Sequence, residues 1–202
     1  MHSKSPRVRA PEVRGTVAVR PDLLVVSVRV RVDQAEPSHA PTELGDALRR
    51  IGELVAPAEV TPVSYTSSSE KTASKSLFGS GRRTTAEAVC RVELGLAPSD
   101  GFIDRAIALE SLRDSLETAN LEAVSVVVGD SRYAIATPQA HRAAAIEALH
   151  DDLSEAARAC GMTLERLELS TTLDVAVAGP CEASVSVSGT ARLAAISPPT
   201  PA

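Results

Sequence analysis

An alternation of apolar and polar residues over Leu23–Val32 constrains the fold of this chain more than any other feature. The even positions of the stretch LLVVSVRVRV are all apolar, whereas its later odd positions are Ser27, Arg29 and Arg31. Successive side chains of a β-strand point to opposite faces, so the pattern predicts a strand with one buried and one solvent-facing side. Such strands are typical of antiparallel sheets. Pro21 cannot donate a ladder hydrogen bond and separates this strand from a shorter preceding one.

Hydrophobic spacing along the rest of the chain alternates between periods of 2 and about 3.6 residues, which indicates strands and amphipathic helices in turn. We predict three helices: the first over residues 38–55, a second whose apolar side runs from Phe102 to Leu116, and a third over residues 138–160. Ser99 or Asp100 is expected to cap the second helix, and Gly161 to end the third. The predicted order is β-β-α-β-β-α-β-α-β-β, an α+β fold in which about three helices pack mainly on one face of a mostly antiparallel sheet.

Apolar residues at three- and four-residue steps define the predicted buried side of each helix. In the second helix they are Phe102, Ala106, Leu109, Leu112 and Leu116. In the third helix they are Ile146, Leu149, Leu153, Ala156 and Cys160. Among the strands, the nearly all-apolar LEAVSVVV is typical of a central position in the sheet.

The last predicted strand, ASVSVSGTARL, alternates small apolar residues with hydroxyl residues. One-sided sheets are common, so the polar side of this strand is predicted either to face solvent or to pack against another subunit. That polar side consists of Ser184, Ser186, Ser188 and Thr190.

The chain has 202 residues, of which 44% are hydrophobic, and this suits one sizeable domain or two small ones. We predict a single domain over residues 12–196. Residues 1–11 and 197–202 are Pro-rich and polar, and they are predicted to be disordered.

Composition excludes several functional classes. The net charge of −5 argues against a general nucleic-acid binder, and an aromatic content of 2% leaves few faces on which bases would stack. No apolar run is long enough for a transmembrane helix. The basic N-terminus lacks the apolar region of a secretory signal, so a cytoplasmic location is expected.

The residues that usually carry chemistry do not form a motif. The three cysteines contain no CxxC pair, and Cys160 and Cys181 would pair only if the fold brought them close. His141 and His150 are nine residues apart in one predicted helix, which places them on opposite faces and unable to share a metal ion. Neither GTARL nor FGSGRR matches the G-x-S-x-G nucleophile elbow. We therefore predict no cofactor, no metal and no enzymatic activity.

A basic segment, residues 70–83, is the one candidate ligand-binding site. It carries Lys71, Lys75, Arg82 and Arg83 against a single acid, Glu70. Cations together with backbone amides of a glycine-containing loop bind anions. The alternative interpretation is a hairpin loop kept in solution by its charge.

The order and spacing of three motifs resemble the SIMPL-domain family over residues 13–195. The opening matches as Gly15, Val17, Val19, Pro21 and Asp22, followed by the alternating strand LLVVSVRVRV. The Ala-rich third helix ends with Ala157 and Gly161, and the chain closes on ASVSVSGTARL. Where the family has aromatic residues and a Gly-Tyr pair, this chain has SSSEKTASKSLFGSGRR.

Membership would imply an envelope or periplasmic setting in bacteria, oligomeric and sometimes ring-like assemblies, and a link to oxidative stress. One animal member is named as a partner in kinase signalling. No catalytic activity defines the family, so the resemblance implies no catalytic residues. We predict a non-enzymatic, self-assembling interaction protein, a homo-oligomer with an unidentified protein partner and a role related to stress. The alternative is a small-ligand or anion-binding domain that uses the basic segment.

Overall fold

A computed structural model describes residues 12–34, 36, 38–72, 81–119 and 124–195, with the backbone alone for residues 71, 72, 81 and 82. The predicted disorder at residues 1–11 and 197–202 falls outside these ranges. The chain forms two compact units. We call residues 21–134 the middle unit, and residues 1–20 with 135–202 the terminal unit.

The strands and helices follow the predicted order. In the middle unit they are β2 Leu23–Gln34, α1 His39–Leu54, β3 Glu59–Thr72, β4 Gly81–Gly95, α2 Phe102–Thr118 and β5 Val124–Ala134. In the terminal unit they are β1 Glu12–Val19, a 3₁₀ turn Pro138–His141, α3 Arg142–Ala159, β6 Met162–Gly179 and β7 Glu182–Ala195. The α+β class is confirmed, with the strands divided between two antiparallel sheets of order β3-β4-β2-β5 and β1-β7-β6. Within the described ranges, no helix has both the length and the apolar character to cross a membrane.

The even positions of β2 form the centre of the middle unit, as predicted. Leu24, Val26, Val28, Val30 and Val32 are at most 1% exposed, and they pack with α1, α2 and the facing residues of β4 in one apolar cluster. The odd residues Arg29 and Arg31 lie on the opposite, solvent-facing side of the sheet. Because β2 is paired on both edges, its alternating hydrophobic pattern determines which face of the sheet the helices cover.

Two predicted details of the middle sheet are wrong. The described part of the apolar segment LEAVSVVV, from Val124, begins β5, which pairs with β2 and with no other described strand, so it is an edge strand rather than a central one. Ser125 and Val127 are exposed there, so the strand alternates even though its residues are mostly apolar. Strands β3 and β4 extend to Thr72 and from Gly81, which shortens the predicted loop at both ends.

Helix α2 has Gly101 at its N-cap, and not Ser99 or Asp100 as predicted. The Asp100 carboxylate accepts instead from the backbone N–H of Ala97 at 2.8 Å, closing the preceding turn. The Asp104 carboxylate accepts from the N–H of Gly101 at 2.9 Å. Acidic side chains satisfy orphan N–H groups well at this end of a helix.

A buried arginine fastens the first turn of α2. The Arg105 side chain is inaccessible to solvent, and its guanidinium donates to the carbonyls of Pro21 at 2.6 Å, Asp100 at 3.0 Å and Ala97 at 3.3 Å. The Tyr133 hydroxyl donates in turn to the Arg105 carbonyl at 3.2 Å. A buried charge is tolerated only when its donors are satisfied, and here backbone carbonyls satisfy them. The start of α2 is thereby held at the sheet end where β2 begins and β4 ends.

In the terminal unit, α3 lies directly on β1. A Cβ at Gly15 would clash with the Ala145 carbonyl oxygen and with the Leu149 Cβ, so only glycine fits this approach. The buried stripe of α3 is Ala145, Leu149, Leu153 and Ala157. The predicted stripe was right at its two leucines and wrong at Ala156 and Cys160, which are exposed. Gly161 has a φ of 66°, as expected of a residue that ends a helix.

The polar side of β7 is less exposed than predicted. Because β7 lies between β1 and β6, Ser186 is only 5% exposed. Its hydroxyl and that of the cross-strand residue Thr16 are hydrogen-bonded at 2.9 Å. Only the outermost residue of the predicted polar side, Thr190, is classed as exposed.

Candidate interaction surfaces

The uncovered face of the middle sheet is lined by paired charges, and we call it the outer face. Arg29 lies 3.4 Å from Glu87, Arg91 contacts Glu93, and Arg31 lies 3.2 Å from Asp33. These pairs keep the face polar with little net charge. Exposed pairs of this kind each contribute little to stability. Their main effect is that the outer face is polar and favours polar over apolar partners.

Asp33 is the best-satisfied acid of the outer face. It accepts from the Thr85 hydroxyl at 2.5 Å and lies 3.0 Å from the Arg83 guanidinium. The hydrogen bond from Thr85 is the largest cause that lowers the Asp33 pKa below its ordinary value. Burial, the second largest cause, opposes it, and the hydrogen bond and charge of Arg31 and the charge of Arg83 lower the pKa further. Arg83, one of the four predicted ligand-binding cations, is therefore already paired with the Asp33 carboxylate.

The candidate anion-binding residues are only partly described. The backbone register sets Lys71 opposite Arg82 and Glu70 opposite Arg83 at the end of the β3–β4 hairpin. The structure thus brings three of the four predicted cations to one end of the sheet, while Lys75 lies outside the described residues. Of the four side chains, that of Arg83 is described, and it is engaged with Asp33.

Strand β3 is a long edge. It pairs with β4 and with no other described strand, and every residue from Thr61 to Glu70 is exposed. A register shift between Pro62 and Ser64 interrupts its first part. From Ser64 onward the run SYTSSS contains no proline, glycine or charge, although prolines, bulges and charges are the features by which proteins usually protect an edge from pairing with another chain.

Helix α2 exposes three large apolar side chains, which we call the α2 patch. Phe102, Ile103 and Ile107 are 63%, 70% and 59% exposed. The prediction that Phe102 belongs to the buried side is therefore wrong. Ile103 and Ile107 lie one turn apart on the side of α2 opposite its buried leucines. Phe102, the first residue of the helix, is exposed about 100° around the axis from Ile103. The four-residue spacing of Ile103 and Ile107 in the sequence indicated this second apolar stripe. The longer stripe of leucines on the other side of the helix gave the stronger pattern, and the prediction followed it.

Acidic residues continue the exposed side of α2. Glu110 and Asp114 follow Ile103 and Ile107 at helical spacing, and Asp104 is adjacent to Ile103. All three acids are exposed. Neither Glu110 nor Asp114 has an ion-pair partner among the described residues.

A cleft of about 340 Å³ lies between the C-terminal ends of α1 and α2. Its wall is mainly apolar, with Ile51, Leu54 and Ala119, and its charged groups are Arg50 and Glu53. Residues 120–123, which follow Ala119 directly, lie outside the described ranges. We assign no ligand to this cleft.

The possible metal-binding side chains of the described residues do not cluster. No cluster of three or more His, Cys, Asp or Glu side chains suited to a metal is found among them. All three cysteines are free: Cys90 is buried, Cys181 half-buried and Cys160 exposed. Burial raises the pKa of the Cys90 thiol, which makes its reactive thiolate form scarcer at neutral pH.

These features define an α+β protein of two antiparallel sheets whose most unusual surfaces are an edge strand and an apolar helix patch. No protein-family model and no curated protein matches the chain. An uncharacterized conserved protein from Listeria innocua is matched in its crystal structure at 9% identity, over 88% of this chain and 92% of that chain, with a TM-score of 0.21. A similarity at this level identifies neither a family nor a function.

Proposed function

We propose that the protein is a non-enzymatic interaction module that assembles with further copies of itself. The observation that carries the proposal is the edge of β3, of which ten consecutive residues, Thr61–Glu70, are exposed without a second partner among the described strands. Unpaired N–H and C=O groups along such an edge are a template for another chain. The exposed α2 patch supports the same proposal, because clustered apolar side chains at a surface favour protein partners.

The proposal predicts a defined oligomer larger than a dimer. The test is size-exclusion chromatography with light scattering over a wide range of protein concentrations. A mass that rises to a fixed multiple of the chain mass would support self-assembly. A monomer at the highest concentration would contradict it.

The resemblance to the SIMPL-domain family supports this proposal, since some of its members form oligomers and no common reaction defines the family. On the same ground we propose a role related to stress. A strain lacking the protein should then survive peroxide less well than its parent. Complementation with the intact gene is the control, and equal survival of the two strains would contradict the role.

The second candidate function is anion binding at the basic end of the hairpin. The observation in its favour is the register, which sets Lys71 and Arg82 opposite each other on adjacent strands. The engagement of Arg83 with Asp33 counts against a site that uses all four cations. Phosphates and nucleotides should raise the melting temperature of the protein, and replacing Lys71, Lys75 and Arg82 by Ala should abolish the rise. No shift with any anion would contradict this candidate.

A further inference from the structure

The α2 patch has chemistry opposite to that of one other segment of the chain. Three acids, Asp104, Glu110 and Asp114, accompany its three apolar side chains. The segment 71–82 at the tip of the β3–β4 hairpin contains an apolar pair, Leu77-Phe78, and three cations, Lys71, Lys75 and Arg82. The α2 patch is therefore apolar with acidic neighbours, whereas the segment 71–82 is apolar with basic neighbours, and the two are complementary in charge.

The two surfaces lie at opposite ends of the middle unit. The hairpin tip follows Thr72 and precedes Gly81, which pair with each other. The start of α2 is held by Arg105 to the carbonyls of Pro21 and Ala97, beyond Gly95 at the other end of β4. Strand β4 has 15 residues, so at about 3.4 Å per residue the two ends are roughly 50 Å apart.

This separation prevents the hairpin tip from reaching the α2 patch of its own chain. Eight residues, 73–80, connect Thr72 to Gly81. A connection that goes out and returns spans at most about four residues, roughly 14 Å. The patch extends over α2 by only about 8 Å from Phe102 to Ile107 at 1.5 Å per residue. A tip that fills the patch must therefore come from another molecule.

Pairing of two α2 patches is disfavoured by charge. Two copies of α2 packed through this side would bring Asp104, Glu110 and Asp114 of both chains together, and like charges in contact cost free energy. The basic tip instead places cations against these acids. Because Arg83 is engaged with Asp33, the three remaining cations of the tip equal the three acids in number.

We propose that the hairpin tip of one copy, residues 71–82, binds the α2 patch of the next copy. This inference rests on the proposed self-assembly and specifies one interface for it, which uses the α2 patch and not the edge of β3. The two contacting surfaces differ, so the contact is head-to-tail and each copy retains one free tip or one free patch for a further copy. Such a contact closes into a ring when its rotation permits and otherwise extends into a chain. Added salt weakens it, because the charged groups are exposed.

The test uses the full chain and two double variants. The tip variant carries Leu77→Ser and Phe78→Ser, and the patch variant carries Ile103→Ser and Ile107→Ser. Each variant alone should associate about tenfold or more weakly than the wild type, because burial of even one such side chain is worth that factor. Circular dichroism and melting temperature verify that both variants are folded. A matched control replaces Val175 and Val177, which are exposed apolar residues of β6, by Ser and should associate as the wild type does.

Mixing the two variants gives the decisive result. The tip variant keeps an intact patch and the patch variant keeps an intact tip, so the mixture should form a heterodimer of one copy of each and stop there. If both variants assemble as well as the wild type does, the interface is wrong but self-assembly is retained. The same holds if the wild type assembles and the mixture of the two variants stays monomeric. A wild type that is monomeric at every concentration would overturn self-assembly and the interface together. Assembly lost equally in the β6 control would also count against the interface.

Discussion

In the middle unit two helices cover a four-stranded sheet, whereas in the terminal unit one helix covers three strands. The middle unit buries 21 described apolar residues in a single cluster. The terminal unit has two separate clusters of three buried residues each. Hydrophobic stabilisation scales with the apolar area removed from water, so the middle unit gains more of it. The terminal unit depends to a greater degree on close backbone approach and on hydroxyl pairing.

The largest effect is expected where the middle unit relies on a charge rather than on apolar packing. Arg105→Met keeps much of the side-chain volume but leaves the carbonyls of Pro21, Ala97 and Asp100 without their donor. The Pro21 carbonyl, whose hydrogen bond is buried, costs about 1–3 kcal/mol when left unsatisfied, and each lost hydrogen bond to the part-buried carbonyls of Asp100 and Ala97 costs about 1 kcal/mol. The free energy of unfolding should therefore fall by about 3 kcal/mol. Urea denaturation measures it.

A second arginine of α2 is the control for that variant. Arg113 is half-buried, and its Nε has no hydrogen-bond partner, so Arg113→Met should change the free energy of unfolding by less than about 1 kcal/mol. Equal losses in the two variants would show that the carbonyl contacts of Arg105 are not what stabilises α2.

The next effect concerns the approach of α3 to β1 in the terminal unit. Gly15→Val places a branched side chain where a Cβ alone would already clash with the Ala145 oxygen. Overpacking against backbone costs about 1–3 kcal/mol or more, and we expect about 3 kcal/mol because neither backbone can yield without moving the whole helix. Hydrogen exchange should show lost protection in α3 and β1 while that in β2 and β4 is retained. Gly179→Val is the control, since a Cβ added there would meet no atom within 4 Å, and an equally large loss in that variant would contradict the explanation.

A smaller effect is expected at the charged cluster of the middle unit. Asp33→Asn removes the negative charge that pairs with Arg31 and Arg83 and replaces one carboxylate oxygen by an amide donor, while the remaining oxygen can still accept from the Thr85 hydroxyl. We expect a loss of about 1 kcal/mol at neutral pH. Asp46→Asn, which removes a more exposed pair with Arg49, should cost less than about 0.5 kcal/mol.

The contribution of Asp33 should depend on pH in one direction. Its pKa is lower in the folded protein than the ordinary value of 3.8, so the folded state binds the proton less readily than the unfolded state. The stabilisation is complete above the ordinary pKa and is lost as the pH falls through the lowered folded value. The stability difference between wild type and Asp33→Asn should therefore shrink in acid, and a difference that grows there would contradict this assignment.

The smallest effect lies in the hydroxyl pair of the terminal unit. Ser186→Ala should cost about 1 kcal/mol or less, the usual net value of one hydrogen bond. A double-mutant cycle with Thr16→Val isolates the pair from other effects of each substitution. A coupling near zero would mean that packing of β7, and not this pair, orders the terminal sheet.

Strict alternation in a strand with two neighbours was enough to predict the covered face of β2, because one slip would bury Arg29 and Arg31. The edge position of β5 was not predictable from its own residues, since a run of valines suits either place in a sheet. The burial of Ser186 depends on β7 lying between two strands, one of them far away in sequence. The exposure of Phe102 and the burial of Arg105 depend on how the start of α2 is fastened, which helical periodicity does not encode.

The placement of tyrosine has a practical consequence for spectroscopy. Both tyrosines, Tyr65 and Tyr133, belong to the middle unit, and the chain has no tryptophan. Intrinsic fluorescence therefore reports unfolding of residues 21–134 and gives no direct signal from the terminal unit. Because Tyr133 donates to the Arg105 carbonyl while Tyr65 is 54% exposed on β3, an added quencher should reach the two rings unequally. Tyrosine fluorescence can thus distinguish the region around Arg105, reported by Tyr133, from the β3–β4 hairpin, reported by Tyr65, without an added label.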